Sequence, residues 1–322
     1  MTPSEPGPVA SPDPRNDSIW VHVGGELLPR AQAKVSVFDS VVQGGDAVWE
    51  GLRVYGGRVF ALDRHLDRLL ASAHAMAFAR IPTRDAVRAA LFSCLKKNGM
   101  SDGVHVRLTL TRGAKVTSGM DPRNNRAGPC LIVLPEWKPA RGADATARGD
   151  ADAASGGDTI GIRLKTASTR RNPPQCVDSK IHHNNLINNI LAKIEANAAG
   201  ADDALMLDLD GFVAETNATN VFLVRRGELA TPFPRACLPG ITRGLVLELA
   251  RDAGIAAAEK DLSLTDVYTA DEMFATGTMG ELTPVLECDG RRIGAGRRGP
   301  LTARLQQLFA ERTARDGDPI PD

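Results

Sequence analysis

Lysine is the scarce reactive side chain here: only nine of the 39 basic residues are lysine. Arginine cannot replace it as an amine that captures a carbonyl compound as a Schiff base. Lys180 has the most distinctive setting. Its surroundings, CVDSKIHHNN, carry no charge-laced face and join an alternating run, IGIRLKTAS, to a helical one, NNLINNILA. A lysine at such a junction can face a cleft. Retention by drift is the plain alternative, and spacing alone leaves both open.

A second candidate is Glu215 in FVAETNATNVFLV, where its neighbours are apolar or small. A buried carboxylate needs a cationic partner or its pKa rises until it is neutral, and a protonated heteroaromatic nitrogen would be such a partner. A strand-end glutamate facing water is the competing reading. Two turns could hold anions. LPGITRGLVLELARDAG places Pro239 and Gly240 before an amphipathic helix, with Thr242 in its first turn and free backbone N–H groups from Gly240 onward. ATGTMGELTP offers a second Gly/Thr turn at Thr278. Most helices that begin near a threonine bind no phosphate; the two turns together suggest one phosphate and one carboxylate. The pair His182–His183 has no accompanying Asp/Glu/Cys cluster, which favours structural or supporting roles over a metal site. GxGxxG after a strand, GxxxxGK[ST] and GxSxG are all missing, so dinucleotide, P-loop and α/β-hydrolase readings lose their main support.

The elements that must position these residues follow from hydrophobic period. IWVHV and ELLP flank Gly24–Gly25, KVSVF alternates, and WEGLRVYGGRVFAL repeats the strand–turn pattern. LDRHLDRLLASAHAMAF and DAVRAALFSCLKKNG read as helices, and HVRLTLTRG and PCLIVLPEW as strands. The stretch 138–158 loses periodicity and reads as an interdomain linker. Beyond it come a strand, the helix NNLINNILAKIEANAAG, a β-meander, the helix after PGITRG, the strand EMFATGT and a closing helix TARLQQLFAERT. The expectation is α+β: a Pro/Ser-rich disordered tail over 1–17, a small domain over 18–137 and a large one over 159–322.

Bulk composition narrows the partners. Lys+Arg and Asp+Glu balance at 39 each, which removes a basic field for nucleic acid or anionic lipid. Five scattered cysteines without a CxxC pair argue against a disulfide framework and suit a reducing cytoplasm. No segment has the roughly twenty continuous apolar residues of a membrane span. Small-molecule substrates are the expectation.

In order, GGDAVWEGLRVY, HLDRLLASA, the Lys180 junction, GFVAETNATNVFLV, LPGITR and TGTMGELTPV resemble the signature of class IV (fold type IV) aminotransferases, closest to the branched-chain-aminotransferase-like branch. The resemblance implies a small N-terminal α+β domain and a larger barrel-like C-terminal domain with pyridoxal 5'-phosphate (PLP) between them. It assigns Lys180 to the Schiff base, Glu215 to the pyridine nitrogen, and Arg68, Ile241, Thr242 and Thr278 to the phosphate. Thr278 and Met279 meet the substrate carboxylate, Arg107 the distal carboxylate of glutamate, and Trp49 forms a pocket wall. Two positions depart from the pattern: a pocket tyrosine falls at Gly44, and the tyrosine that bonds the cofactor phenolate is Asn185. The implied reaction is transamination between a branched-chain or other hydrophobic L-amino acid and 2-oxoglutarate, in a homodimer. Gly44 leaves open a D-amino acid or (R)-amine transaminase and an aminodeoxychorismate-type lyase; a non-catalytic PLP-fold binding protein is the reading from another class.

Overall fold

The computed structural model of the protein describes residues 11–138 and 160–321. Its first half is built on β1 (Trp20–Val23), β2 (Glu26–Pro29), β3 (Ala47–Tyr55), β4 (Arg58–Val59), β5 (Val104–Thr111) and β6 (Cys130–Trp137), paired in the order β4-β3-β5-β6-β1-β2. The β1–β2 turn uses Gly24 and Gly25, both at positive φ, where a side chain would be strained. Alternation sorts the two faces of this sheet. Val48, Leu52 and Val54 of β3 and Val106, Leu108 and Leu110 of β5 point to one face. Helices Leu62–Ala75 and Arg84–Lys97 cover that face with Leu66, Leu69, Val87 and Leu91. The opposite face presents Trp49, Gly51 and Arg53 beside Thr109, Arg107 and His105.

The second half forms a mixed sheet from β7 (Ile162–Thr166), β8 (Asp203–Leu207), β9 (Val213–Thr216), β10 (Asn220–Arg225), β11 (Glu228–Pro232), β12 (Ala257–Lys260), β13 (Glu272–Gly277), β14 (Glu281–Cys288) and β15 (Arg291–Arg292). The order is β12-β11-β10-β13-β14-β7-β8-β9, with β15 on β14. Helices Ile241–Asp252 and Pro300–Arg315 pack through Leu245, Val246, Leu305 and Phe309 onto Phe222 and Phe274. Those two phenylalanines are register partners on β10 and β13, fully buried, with rings stacked at 5.1 Å. Phe274→Ala is predicted to cost about 3–5 kcal/mol in urea unfolding; a loss below about 1 kcal/mol would mean that the layer repacks around the gap. The last strand, β16 (Asp318–Pro319), returns to pair with β4 in the first sheet, where Asp318 also meets Arg88.

The α+β expectation is borne out, and two local expectations change. KVSVF forms no strand: Val35, Val37 and Phe38 are exposed in a loop before a short helix, Ser40–Gly44. Its alternation therefore marked no buried face. The expected tail over 1–17 ends earlier, because Pro14–Ser18 forms a 3-10 turn capped by Asp13. Asn16 is buried there; its Nδ2 donates to the Trp137 carbonyl and its Oδ1 accepts from the Trp137 N–H, both at 2.9 Å. One amide that satisfies a strand edge outweighs the polar composition around it. Residues 1–10 lie outside the described residues, as does the expected linker except Lys138. No helix among the described residues is long and apolar enough to cross a membrane.

Candidate active site

A cavity of about 530 Å³ opens between the two halves. One end has donors arranged as an anion would need them. The helix Ile241–Asp252 starts at Gly240 without a side-chain cap, so its first N–H groups are available, and Ile241 and Thr242 line the wall beside the Gly277–Gly280 turn with Thr278 and Met279. Only glycine fits at 240, because a Cβ there would stand 2.0 Å from Asn220 Oδ1. Arg68 reaches this end from helix Leu62–Ala75, and its Nη1 donates to the Pro239 carbonyl at 3.2 Å. Its Nε and Nη2 both donate to Glu50 at 2.7 Å, which fixes the guanidinium plane.

The far wall holds Glu215 on β9, 6% exposed. Arg171 Nε lies 2.9 Å from its Oε1, and Asn220 Nδ2 donates to its Oε2 at 3.4 Å. Burial pushes the carboxyl up to about 7, against the pull of the Arg171 guanidinium. An acid whose folded pKa exceeds its unfolded value binds protons more readily when folded. Stability is therefore predicted to fall as pH rises from about 4.5 toward about 7. Glu215→Gln removes that slope, so urea-unfolding free energies of wild type and variant should diverge across this window; parallel profiles would mean that Arg171 holds the carboxylate ionised throughout.

Arg171 also donates through Nη2 to Ser179 Oγ at 3.0 Å and through Nη1 to Asn188 Oδ1 at 2.7 Å. It thus ties the acid to the loop that carries Lys180. Lys180 itself is exposed, its N–H donating to Asp178 Oδ1 at 3.0 Å, and its side chain is not part of the cavity wall. Its loop reaches the wall two residues later, at His182. The lysines that line the cavity are Lys138 and Lys193, and Lys193 is committed to Asp203, 3.3 Å away, and to the Asp202 carbonyl.

Seven of the expected site residues therefore meet in one cavity: Trp49, Arg68, Glu215, Ile241, Thr242, Thr278 and Met279. Lys180, Asn185 and Arg107 stand outside its wall. Asn185 is exposed, packed against Gly45. The Arg107 guanidinium lies 3.9 Å from the Trp49 ring centre and donates to Asn184 Oδ1 at 2.7 Å. Gly44 is exposed with open space around it.

Three contributors were not anticipated. Arg171 belongs to TASTRRNPP, whose lack of period left no signal. Asn220 and Glu50 were visible only as parts of quoted motifs. Glu50 is fully buried, 2.7 Å from His65 Nδ1 and 3.1 Å from His182 Nδ1. Burial opposes its charge, but His182 and Arg68 hold its carboxyl well below the usual range. Burial also lowers the pKa of His182 itself, so the Arg68 guanidinium is the charge that balances Glu50 near neutrality. His182, for which a supporting role was expected, contacts Glu50, lines the cavity and lies against Trp49 with ring centres 4.2 Å apart and planes tilted by 39°.

The sequence profile of the amino-transferase class IV family matches residues 47–288. Branched-chain-amino-acid aminotransferase-like protein 2 of Arabidopsis thaliana is 55% identical over 314 residues, covering 98% of this chain and 54% of that protein. The chain thus spans about half the length of this relative and of its Arabidopsis companion, branched-chain-amino-acid aminotransferase-like protein 1. The branched-chain-amino-acid aminotransferase of Pseudomonas aeruginosa is 35% identical, with 92% of each chain covered. The crystal structure of the branched-chain amino acid aminotransferase from Thermobaculum terrenum in its PLP form superposes with a TM-score of 0.80 at 26% identity, covering 94% of this chain and 96% of that one. With a profile match that contains every residue of the donor-lined end, the acid wall and the Lys180 loop, the chain belongs to the class IV aminotransferases.

Proposed function

We propose that the protein catalyses PLP-dependent transamination between an amino acid, branched-chain or otherwise hydrophobic and of L configuration, and 2-oxoglutarate, with Lys180 as the covalent carrier of the cofactor. The observation that carries this reading is one cavity with an uncapped helix start at Gly240 and a buried acid, Glu215, in its wall. The site fits a phosphorylated pyridine: the uncapped N–H groups that follow Gly240 suit a phosphate, and the buried carboxylate suits a cationic ring nitrogen. Thr276, also in the wall, keeps a buried Oγ1 without a partner among the described residues.

When bound, PLP supplies an electron sink for the pair released at the substrate Cα. The N–H groups from Gly240 to Thr242, the Thr278 turn and Arg68 would hold the phosphate, and Glu215, oriented by Arg171 and Asn220, would keep the ring nitrogen protonated. Lys180, once its side chain turns inward from the loop, has an amine able to take and hold the substrate Cα proton. Thr278 and Met279 orient the substrate carboxylate, and Trp49 walls its side chain.

A homodimer is part of this proposal. Ile187, Ile190, Leu191 and Ile194 form an exposed apolar stripe on helix Ile187–Ala198, and Val37, Phe38 and Val42 lie exposed on the segment joined to it where Gly45 meets Asn185. The five free cysteines suit a reducing cytoplasm.

The test is the visible spectrum of the purified protein with added PLP. A yellow band that L-leucine and L-glutamate bleach, and D-alanine and an (R)-amine do not, is expected. Bleaching by D-alanine or the amine alone would support the reading left open at Gly44; no band at all would overturn the proposal.

A further inference from the structure

Lys180 stands between two anchored residues. One position before it, the buried Ser179 accepts at Oγ from Arg171 Nη2 at 3.0 Å, and Arg171 is the partner of Glu215. Two positions after it, His182 is tied three times to the first half of the chain. Its N–H donates to Ser72 Oγ at 3.1 Å, its carbonyl accepts from the Trp49 N–H at 3.0 Å, and its ring Nδ1 lies 3.1 Å from Glu50 Oε1. Ile181, between them, packs on the core of the first sheet. The Lys180 side chain makes no hydrogen bond or ion pair among the described residues, so its inward turn needs rotation about its own bonds and no movement of the loop.

Glu50 is where this turn meets the phosphate end of the cavity. Its Oε1 accepts from Arg68 Nε and faces His182 Nδ1; its Oε2 accepts from Arg68 Nη2 and faces His65 Nδ1. An ionised carboxylate has about four acceptor positions and no proton to give, so all are filled here and both imidazoles present Nδ1–H to it. Arg68 and Ser72 lie one turn apart on helix Leu62–Ala75. Arg68, which would grip a phosphate, and His182, which anchors the lysine-bearing turn, are therefore held by one helix and one fully buried carboxylate. Releasing either donor leaves a buried polar group unpaired, which keeps the arrangement fixed.

We propose that His182 is a positioning residue for Lys180: through Glu50 and Ser72 it holds the lysine-bearing turn in register with Arg68, so that the amine enters the cavity at a set distance from a bound phosphate. A carbonyl compound anchored by its phosphate is then met by the Lys180 amine in attacking geometry. The amine nitrogen bonds the carbonyl carbon and water leaves, within one assembled site. Histidine suits the task because its donor is short and stiff, where lysine or arginine would add rotatable bonds between the turn and Glu50.

This inference rests on the reading of Lys180 as the cofactor carrier, and its test separates the two. Formation of the visible band is followed by stopped flow after the full chain, freed of cofactor, is mixed with PLP or with pyridoxal, which lacks the phosphate. His182→Phe keeps an aromatic ring and removes the donor; it is expected to slow capture of PLP about ten-fold and to leave capture of pyridoxal within about two-fold of wild type. His182→Asn, whose Nδ2 stands where the histidine Nδ1 does, should restore most of the PLP rate. Ser72→Ala removes a second tie to the same turn and should slow PLP about three-fold, which carries the test if the phenylalanine variant does not fold. An unchanged PLP rate in these variants, or equal slowing with PLP and pyridoxal, would overturn the positioning role. Borohydride reduction after each run identifies the lysine. Cofactor on residue 193 removes the carrier reading and this inference together, whereas cofactor on residue 180 with a rate indifferent to residue 182 removes the inference alone.

Discussion

Lys180→Ala is expected to abolish the visible band of bound PLP and to lower transamination by about 10⁴-fold or more, the scale seen when a covalent group that works with its neighbours is removed. The prediction is demanding because the Lys180 side chain faces solvent while Lys193 and Lys138 line the cavity. The case for Lys180 is chemical. Lys193 already pairs with Asp203 from a regular helix, so recruiting it would break a nearly buried ion pair, whereas the Lys180 side chain makes no ion pair among the described residues and sits on a loop without regular structure. Borohydride reduction and peptide mapping decide between them: the cofactor should be recovered on the peptide containing residue 180. Recovery on residue 193, or a Lys180→Ala protein that retains the band and the rate, would overturn the assignment.

Glu215→Gln is expected to retain the cofactor, because the helix start at Gly240 and Arg68, not the acid, would hold the phosphate, and to lose about 10²–10³-fold in kcat with KM little changed. The amide cannot keep a ring nitrogen protonated, and it leaves the Arg171 guanidinium buried without its counter-charge. Glu215→Asp keeps the charge on a shorter arm and should recover part of the loss. A glutamine variant within about three-fold of wild type in kcat would show that the carboxylate has only a structural role.

Most elements of this fold could be read from period and turn chemistry. Leu62, Leu66 and Leu69 face the core at helical spacing, and Gly24–Gly25 and Asp210–Gly211 sit at strand turns. KVSVF misled because alternation reports a difference between two sides, not which side is covered. Asn16 was hidden because its value depends on the Trp137 backbone, more than a hundred residues away. The site divides in the same way. Gly240, Thr242 and Thr278 belong to local turn geometry and were visible as turns, while the apolar surroundings of Glu215 left two readings open until the resemblance singled it out. Arg171 and Glu50 act through partners brought together only by folding, and the depth of the Lys180 side chain depends on loop packing that no pattern encodes.

Asn220 has a consequence for how the site can move. Its amide touches both ends of the cofactor region at once, donating to the Leu238 carbonyl at 2.9 Å beside the helix start and to Glu215 at 3.4 Å, with Gly240 packed against its oxygen. One short side chain thus works as a ruler, setting the span between the place for a phosphate and the place for a ring nitrogen. Ligands must match that span, since neither end can shift without straining the other. In the proposed site, the length of the cofactor would be read by a wall whose two ends are tied to a single amide.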